Sequence, residues 1–326
     1  MACSSKVAYH YLDWIIEWYI ADYVTLDDTQ EWLLRDALKK GLSWHKSSQL
    51  PLYVSSLDQL KGDIESELTQ QELLAYVDTY NGFWLNIRTY VIPAAMNLLT
   101  TLTPEQINQL MENLEEKNQE HEDEYANKPI ETRYKERSER MIERLEHWID
   151  DLSPAQRRTV QQWSRELKPI SKQWIANRRH WQQQFLTRLY QKRTLANQGA
   201  NKNINNTTAP TLNHAAFDPN HAPAISVTLE KNLAHDKNNE SGRRLSQQHN
   251  DKPVNALSNA ELDQQLNALL LNSRQFWTAE YTRQFNFNLA LTLDLLLDLE
   301  KQLSARQRKH LLTELVDLRD QLHAIR

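Results

Sequence analysis

The spacing of apolar residues along the chain predicts long helices. Between residues 28 and 193, and again from 258 to 325, apolar side chains recur every three or four positions, which is the period of an amphipathic helix. The pattern therefore predicts an all-α fold, an elongated bundle of many helices. We place these helices, the third with a bend at Pro93, at residues 28–48, 51–65, 69–99, 103–126, 130–150, 153–193, 258–300 and 304–325.

A further helix is predicted at residues 6–24, and its apolar residues occupy almost the whole circumference of the helix. Val7, Tyr11, Trp14 and Trp18 follow the helical spacing, and only a narrow polar stripe interrupts the apolar surface. Such a helix is either mostly buried in a core or rests against a bilayer interface, where Trp and Tyr are favourable. We expect it to lie in the core.

One short signature marks six of the helix starts. Each copy is a leucine, an N-cap residue, and a Gln or Glu three residues after the cap, so that cap and Gln or Glu exchange hydrogen bonds with the first turn. Pro104 and Pro154 at the first helical position agree with these starts. The cap residue and its Gln or Glu are Asp27 and Gln30, Thr69 and Glu72, Thr103 and Gln106, Ser153 and Gln156, Ser258 and Glu261, and Ser304 and Gln307.

Residues 194–256 depart from the helical pattern. This stretch contains twelve Asn and four His, and Phe217 is its only aromatic residue. It carries too little apolar area to offset the entropy of ordering the chain. We therefore predict a disordered Asn-rich insertion between a main helical domain at 6–193 and C-terminal helices at 257–326 that pack back on that domain.

Composition narrows the class of protein. Only 5 glycines occur in 326 residues, which favours helices over turn-rich sheets. The net charge of −5 gives no global reason to expect binding to nucleic acid or to an anionic membrane. No apolar run approaches the roughly 18–20 residues of a membrane span.

The strongest local charge asymmetry lies at 153–193, which holds ten Lys and Arg and one acid, Glu166. The helix at 103–126 carries seven acids and one Lys within residues 112–124. These two helices could lie side by side and neutralise each other with their aromatic residues in the core, or the basic helix could expose an aromatic and cationic binding surface. The candidate surface consists of Arg157, Arg158, Trp163, Lys172, Trp174, Arg178, Arg179 and Trp181.

No motif for catalysis, a cofactor or a metal is evident, and we expect none of the three. His45 comes near the end of a predicted helix, where a histidine interacts well with the helix dipole, so we expect a structural role for it. Asp294 and Asp298 lie one turn apart within an apolar stretch. Acids facing an apolar interior need an Arg partner or a shifted pKa, and we expect a salt bridge.

The only cysteine, Cys3, has a special sequence context. Ala2-Cys3-Ser4-Ser5 is similar to the end of a bacterial lipobox, in which a small residue precedes the cysteine that becomes the lipidated N-terminus. The charged and apolar regions of a signal peptide do not precede it here, so we expect that a signal peptide has been removed. Residues 1–5 are accordingly interpreted as a lipid-attachment terminus.

Further motifs extend the similarity along residues 3–190. They include six residues of unknown role, Asp13, Trp14, Trp44, His45, Pro51 and Tyr53. The complete set is Cys3-Ser4-Ser5, Tyr11, Asp13-Trp14, Asp22-Tyr23, Leu26 with Gln30, Trp44-His45, Leu50-Pro51 with Tyr53, Leu145 with Trp148, Leu152-Ser153-Pro154 with Gln156, Trp163, and Arg179 with Trp181-Gln182. In these residues the chain resembles an uncharacterised family of proteobacterial outer-membrane lipoproteins.

The resemblance implies acyl chains on Cys3 and a place at the periplasmic face of a bacterial outer membrane, because Ser4 is not the Asp that retains a lipoprotein in the inner membrane. It implies no activity. We expect a non-enzymatic helical scaffold or chaperone-like binder whose partner is an envelope protein or an anionic glycan, and no binding to nucleic acid. The alternative is a hydrolase or transferase that acts on envelope polymers with acids such as Asp294 and Asp298.

Overall fold

The computed structural model describes residues 2–66, 68–200 and 258–325, with the side chains of 6–66, 68–195 and 258–325. All of its regular secondary structure in these ranges is helical, so the predicted all-α bundle is confirmed. The α-helices are α1 (Ala2–His10), α2 (Leu12–Ala21), α3 (Asp28–Trp44), α4 (Leu50–Glu65), α5 (Gln70–Leu99), α6 (Pro104–Tyr125), α7 (Ile130–Ile149), α8 (Pro154–Glu166), α9 (Ser171–Ala200), α10 (Asn259–Leu271), α11 (Ala279–Lys301) and α12 (Ala305–Ile325).

The predicted insertion at 194–256 is tested only at its start. Residues 194–200 continue α9, so the helix extends beyond the predicted end at 193. The remainder of the insertion lies outside the described residues.

Three predicted helices are each divided in two. The helix expected at 6–24 is broken at Tyr11, whose φ of −101° and ψ of 14° are not helical. The helix expected at 153–193 stops at Leu167, ahead of Pro169, because a proline disfavours helical geometry in the residue before it. The amide side chain of Asn288 binds the backbone between the two helices. It accepts from the Lys168 N–H at 2.8 Å and donates to the Lys168 carbonyl at 2.9 Å.

The helix expected at 258–300 is interrupted by a short 3₁₀ helix, Ser273–Phe276. Thr278 then caps α11 and accepts a hydrogen bond from the Tyr281 N–H at 3.1 Å. The signature that marked the other helix starts requires Gln or Glu three residues after the cap. Tyr281 occupies that position here, which is why the sequence pattern did not reveal this start.

All six predicted capping boxes are present, and those with glutamine do more than cap a helix. At the starts of α3 and α6, the Gln30 side chain donates to the Gln106 amide oxygen at 2.9 Å and to the Thr101 carbonyl at 3.2 Å. At the starts of α12 and α8, the Gln307 side chain donates to the Asp151 carbonyl at 2.9 Å and to the Gln156 amide oxygen at 3.0 Å. We call these the two glutamine pairs, and each joins two distant helix starts.

The two boxes with glutamate, at Thr69 and Ser258, have exposed capping hydrogen bonds. An amide carries both a donor and an acceptor, so two glutamines can bond each other and still reach a carbonyl. Two carboxylates at the same distance would repel. The choice between Gln and Glu in the box therefore decides whether a helix start is buried against another.

Two apolar cores lie beside the glutamine pairs. The first is formed by α5, α6, α9, α10 and the end of the N-terminal segment, with Leu102, Ile107, Leu114, Leu189 and Leu266 almost fully buried. The second is formed by α7, α8 and α11 around Leu152, Val160, Trp163, Leu295 and Leu299. The C-terminal helices contribute to both, since α10 packs against α9 and α5, α11 against α8, and α12 against α4 and α7. We refer to helices α3–α12 as the body.

Candidate functional site

The N-terminal helices α1 and α2 present an exposed aromatic stripe. It consists of Val7, Tyr11, Trp14 and Trp18, which are spaced by four, three and four residues and are 52%, 54%, 64% and 61% exposed. The core position predicted for residues 6–24 is wrong for α2, which contains no buried residue, and holds only at Tyr23 and Val24, which are buried in the first core. The interfacial alternative that the sequence left open is the one compatible with this exposure.

The structure shows why this apolar helix is not buried. The main contacts of α2 are with α3 and α1 only, so most of its circumference has no neighbour. On the side toward the body, Ile20 packs against the first core and Glu17 forms an ion pair with Arg35 of α3 at 3.0 Å. Asp13 lies in the first turn of α2, where its carboxylate accepts from the Trp14 N–H at 2.9 Å.

Cys3 lies in α1, four residues and so about one helical turn before Val7. The proposed attachment residue therefore precedes the exposed aromatic stripe by about one turn of α1.

A cluster of rings joins α1 to the body, and we call it the junction: Tyr9, His45, Tyr53 and Phe83. The Tyr9 hydroxyl lies 2.9 Å from Nδ1 of His45, and the Tyr53 hydroxyl lies 3.2 Å from Nε2. The Tyr53 ring packs on Phe83 of α5 with centroids 4.6 Å apart. Both nitrogens of the imidazole are therefore hydrogen-bonded within the protein. These bonds fix the orientation of the His45 ring and leave neither nitrogen free to act as a general base.

Burial controls the protonation of the junction. Desolvation lowers the pKa of His45 and raises the pKa of Tyr9. Desolvation, with smaller contributions from Tyr9 and Tyr80, raises the pKa of Tyr53 to about 12. At neutral pH all three rings are uncharged, so one His45 nitrogen donates and the other accepts.

A π-helical turn, His45–Gln49, positions His45 between α3 and α4. Pro51 follows as the second residue of α4. A proline has no N–H and its ring clashes with the carbonyl four residues earlier, so a regular helix through this region would be strained, and the wider turn accommodates it. Trp44, just before the turn, stacks on Tyr90 of α5 with centroids 4.0 Å apart. The motif residues Trp44, His45, Pro51 and Tyr53 thus gather at one place.

Sequence reasoning identified His45 and Tyr53 but not Tyr9 or Phe83. Neither of the missed residues stands in a recognisable motif. The available signal was Pro51 within an otherwise continuous helical pattern, which could have indicated an irregular turn at this point.

The tryptophans of the candidate basic surface are largely packed against the body. Trp163 is 8% exposed, and its indole N–H donates to the Thr292 hydroxyl at 3.1 Å. Trp181 is partly buried against the first core and donates to the Leu269 carbonyl at 2.8 Å. Trp174 packs against His121 with ring centroids 4.5 Å apart.

The basic residues of this set divide between buried and exposed positions. Arg179 bonds Glu115 at 2.6 Å and Glu122 at 2.8 Å, so the acidic stretch of α6 pairs with α9. Arg157 pairs with Glu146, and Arg178 is buried beside the Trp174 ring. Arg158 on α8 and Lys172 on α9 are exposed. The break between α8 and α9 separates the eight residues, so they do not form one continuous face.

Asp294 and Asp298 do not face an apolar interior, which corrects the expectation for them. Leucines 293, 295, 297 and 299 take the buried positions of α11, whereas both aspartates are exposed. They line an open cleft of about 840 Å³ together with Lys301 and the start of α5. The Gln70 side chain donates to Asp294 at 3.1 Å, and neither aspartate has the predicted arginine partner among the ion pairs of the described residues.

Comparison with known families assigns the chain to one of them. A family described as "Family of unknown function (DUF6279)" matches residues 22–205, more than half of the chain. The chain belongs to the DUF6279 family. No match was found among curated proteins or among solved structures. The DUF6279 match includes His45, Tyr53 and Phe83 of the junction and begins after the aromatic stripe.

No helix in the part of the DUF6279 chain that the structure describes is long and apolar enough to cross a membrane. Within these ranges there is also no group of three or more His, Cys, Asp or Glu that could hold a metal ion.

Proposed function

We propose that this DUF6279 protein is a non-enzymatic envelope lipoprotein, attached by acyl chains on Cys3 to the periplasmic face of a bacterial outer membrane. Its helical body would serve there as a scaffold or chaperone-like binder. The observation that supports this proposal best is the connection between the first helix and the body. An anchor on Cys3 can position the body only if α1 is firmly joined to it.

Contacts of the Tyr9 side chain and the packing of α1 on α12 provide that connection. Tyr9 of α1 bonds His45 at 2.9 Å, and the Lys46 ammonium lies 5.3 Å from the Tyr9 ring centroid. Helix α1 also packs against α12 at the other end of the chain. A lipid group on Cys3 would therefore hold the two-core body close to the bilayer instead of on a loose tether.

The attachment is tested by metabolic labelling with an alkyne fatty acid in a Gram-negative host, using the full-length gene. We expect label on the wild-type chain in the outer-membrane fraction and none on Cys3→Ala. A second variant, Ser5→Ala, is the matched control and should keep the label. An unlabelled wild-type protein in the soluble fraction would exclude the lipoprotein assignment.

The binder role is supported by the exposed cations Arg158 and Lys172. They could contact an envelope protein or an anionic glycan, and such contacts weaken as salt screens them. We expect Arg158→Glu with Lys172→Glu to lower the affinity for purified anionic envelope glycans at low salt. Lys309→Glu, an exposed cation of α12, is the control. Equal binding by both variants would argue against this surface.

A second candidate function is favoured by the cleft at Asp294 and Asp298, because both carboxylates are exposed and line it together. It would be a hydrolase or transferase acting on envelope polymers. The test is release of soluble fragments from peptidoglycan, with Asp294→Asn and Asp298→Asn compared with Asp317→Asn, an exposed aspartate of α12. Absence of product from the wild-type protein would remove this candidate.

A further inference from the structure

The aromatic stripe is an exposed surface without charge. Each of its residues is more than half exposed, and none is an acidic or basic residue of the Asp, Glu, Lys, Arg or His type. The two acids of α2, Asp13 and Glu17, belong to other positions around the helix, and Glu17 is paired with Arg35 of the body. The outer face of these helices is therefore apolar and aromatic, while Ile20 on the inner side of α2 packs against the first core.

The size of the stripe bears on what could cover it. From Val7 to Trp18 it extends over about 17 Å, and with the width of one helix it offers on the order of 200 Å². A stable protein dimer buries about 800 Å² on each partner. The stripe is thus too small to hold a second copy of the chain or another protein by itself, so its occupant must already be held nearby.

The chemistry of the stripe matches the headgroup region of a lipid bilayer. Tryptophan and tyrosine combine an apolar ring with one polar atom and are enriched where hydrocarbon meets water. With 10 residues, α2 is too short to span a bilayer, but it can lie along its surface. Lipid on Cys3, about one helical turn before the stripe, would hold the stripe at the membrane without a large contact area.

We propose that Val7, Tyr11, Trp14 and Trp18 lie in the headgroup region of the membrane that carries the lipid, so that α1 and α2 run along its surface. This inference rests on the proposed lipoprotein function and adds an orientation to it. The junction transmits that orientation to the body, because Tyr9 lies on α1 and bonds His45. The body is then held at a fixed angle to the bilayer.

The test uses the fact that Cys3 is the only cysteine. The purified full chain is coupled through Cys3 to a maleimide-bearing phospholipid in phosphatidylcholine vesicles, and tryptophan emission is measured with lipids brominated near the headgroup. We expect quenching for the coupled wild-type chain. Trp14→Ser with Trp18→Ser should lose most of that quenching while keeping the circular dichroism spectrum, since both side chains are exposed.

Trp32→Ser is the matched control, because Trp32 on α3 is 64% exposed, as Trp14 is, but lies outside the stripe. It should leave the quenching unchanged. No quenching of the coupled wild-type chain, or an equal loss in Trp32→Ser, would overturn the inference. A concentration-dependent dimer that the Trp14 and Trp18 variant abolishes would do so as well, because it would identify the stripe as an interface between copies.

Chemical coupling separates this inference from the proposed function. Failure of the cell to acylate Cys3 would exclude the lipoprotein proposal and leave the vesicle result unaffected. Native acylation without quenching in the vesicles would retain the lipoprotein and remove only the orientation.

Discussion

Tryptophans in two regions of this chain have opposite surroundings. In α2, Trp14 and Trp18 are 64% and 61% exposed, whereas in the body Trp163 is 8% exposed and bonds Thr292. Both regions follow the same helical spacing of apolar residues. They differ in how they are covered, since α2 packs mainly on α3 and on α1, the adjacent helix in the chain, while α8 packs against both α7 and α11 of the body. An apolar face is buried only where a second element is available to cover it.

The largest effect expected from this comparison is on stability. We expect Trp163→Ala to lower the free energy of unfolding by about 3–5 kcal/mol, through the lost ring contacts and the cavity left behind. Trp14→Ala should change it by less than about 0.5 kcal/mol, as is usual for an exposed side chain. Urea unfolding followed by circular dichroism measures both. Equal destabilisation would mean that α2 is covered in solution.

The glutamine pairs sharpen the comparison within the body. Gln156 is 1% exposed and donates to Gln302 and Gln307, so Gln156→Glu removes those donors and buries a charge. We expect a loss of about 2 kcal/mol or more.

The control for the glutamine pair is the exposed capping box at Thr69. Glu72→Gln keeps the capping hydrogen bonds and alters only an exposed charge, so its urea midpoint should stay close to that of the wild type. If the two exchanges had the same effect, the contacts between Gln156 and Gln307 would not be stabilising.

The connection between the two regions is tested at the junction. Tyr9→Phe removes the hydroxyl that bonds His45 and should weaken the attachment of α1 by about 1 kcal/mol. Hydrogen exchange of the α1 amides should then become faster. Tyr11→Phe, which removes a hydroxyl from an exposed side chain of the stripe, should leave that exchange unchanged.

A smaller effect is expected from pH. Burial lowers the pKa of His45 in the folded chain below its unfolded value, so the unfolded state binds more protons in mild acid. The stabilisation is complete above about pH 6.5, the unfolded pKa, and is lost as the pH falls through the folded pKa. Because His45 is only half buried, we expect less than about 1 kcal/mol after screening by solvent.

The contribution of His45 is isolated by its substitution. Urea midpoints at pH 7.5 and pH 5.5 should differ less in His45→Gln than in the wild-type chain. The Lys46 ammonium lies over the Tyr9 ring of the junction. An unchanged pH dependence would assign the effect to other histidines.

Much of the fold could be predicted from the sequence because helix starts are encoded locally. The cap residue and the Gln or Glu three positions later bond each other within one turn, so the six signatures were sufficient to locate six starts. The breaks at Leu167 and Asn272 were missed. They depend on Asn288 and Thr278, whose bonds do not follow that signature.

The candidate site could be predicted only in part. Cys3, Trp14, His45 and Tyr53 were identified as motif residues, but their roles depend on partners far away in the chain, such as Tyr9 for His45 at a separation of 36 residues. Asp294 and Asp298 were expected to form a salt bridge, buried or at the rim of the core, because leucines surround them in sequence. Their exposure follows from which face of α11 meets the second core.

The sequence by itself determined the helical class, the capped starts and the position of the single cysteine, because these depend on residues within a few positions of one another. Tertiary structure alone decided which apolar faces are covered, which glutamines meet and which histidine is fixed by two tyrosines. The physical reason is that burial is a property of pairs of elements. A helix carries the pattern of its faces in its own residues, but the neighbour that removes a face from water is specified elsewhere in the chain.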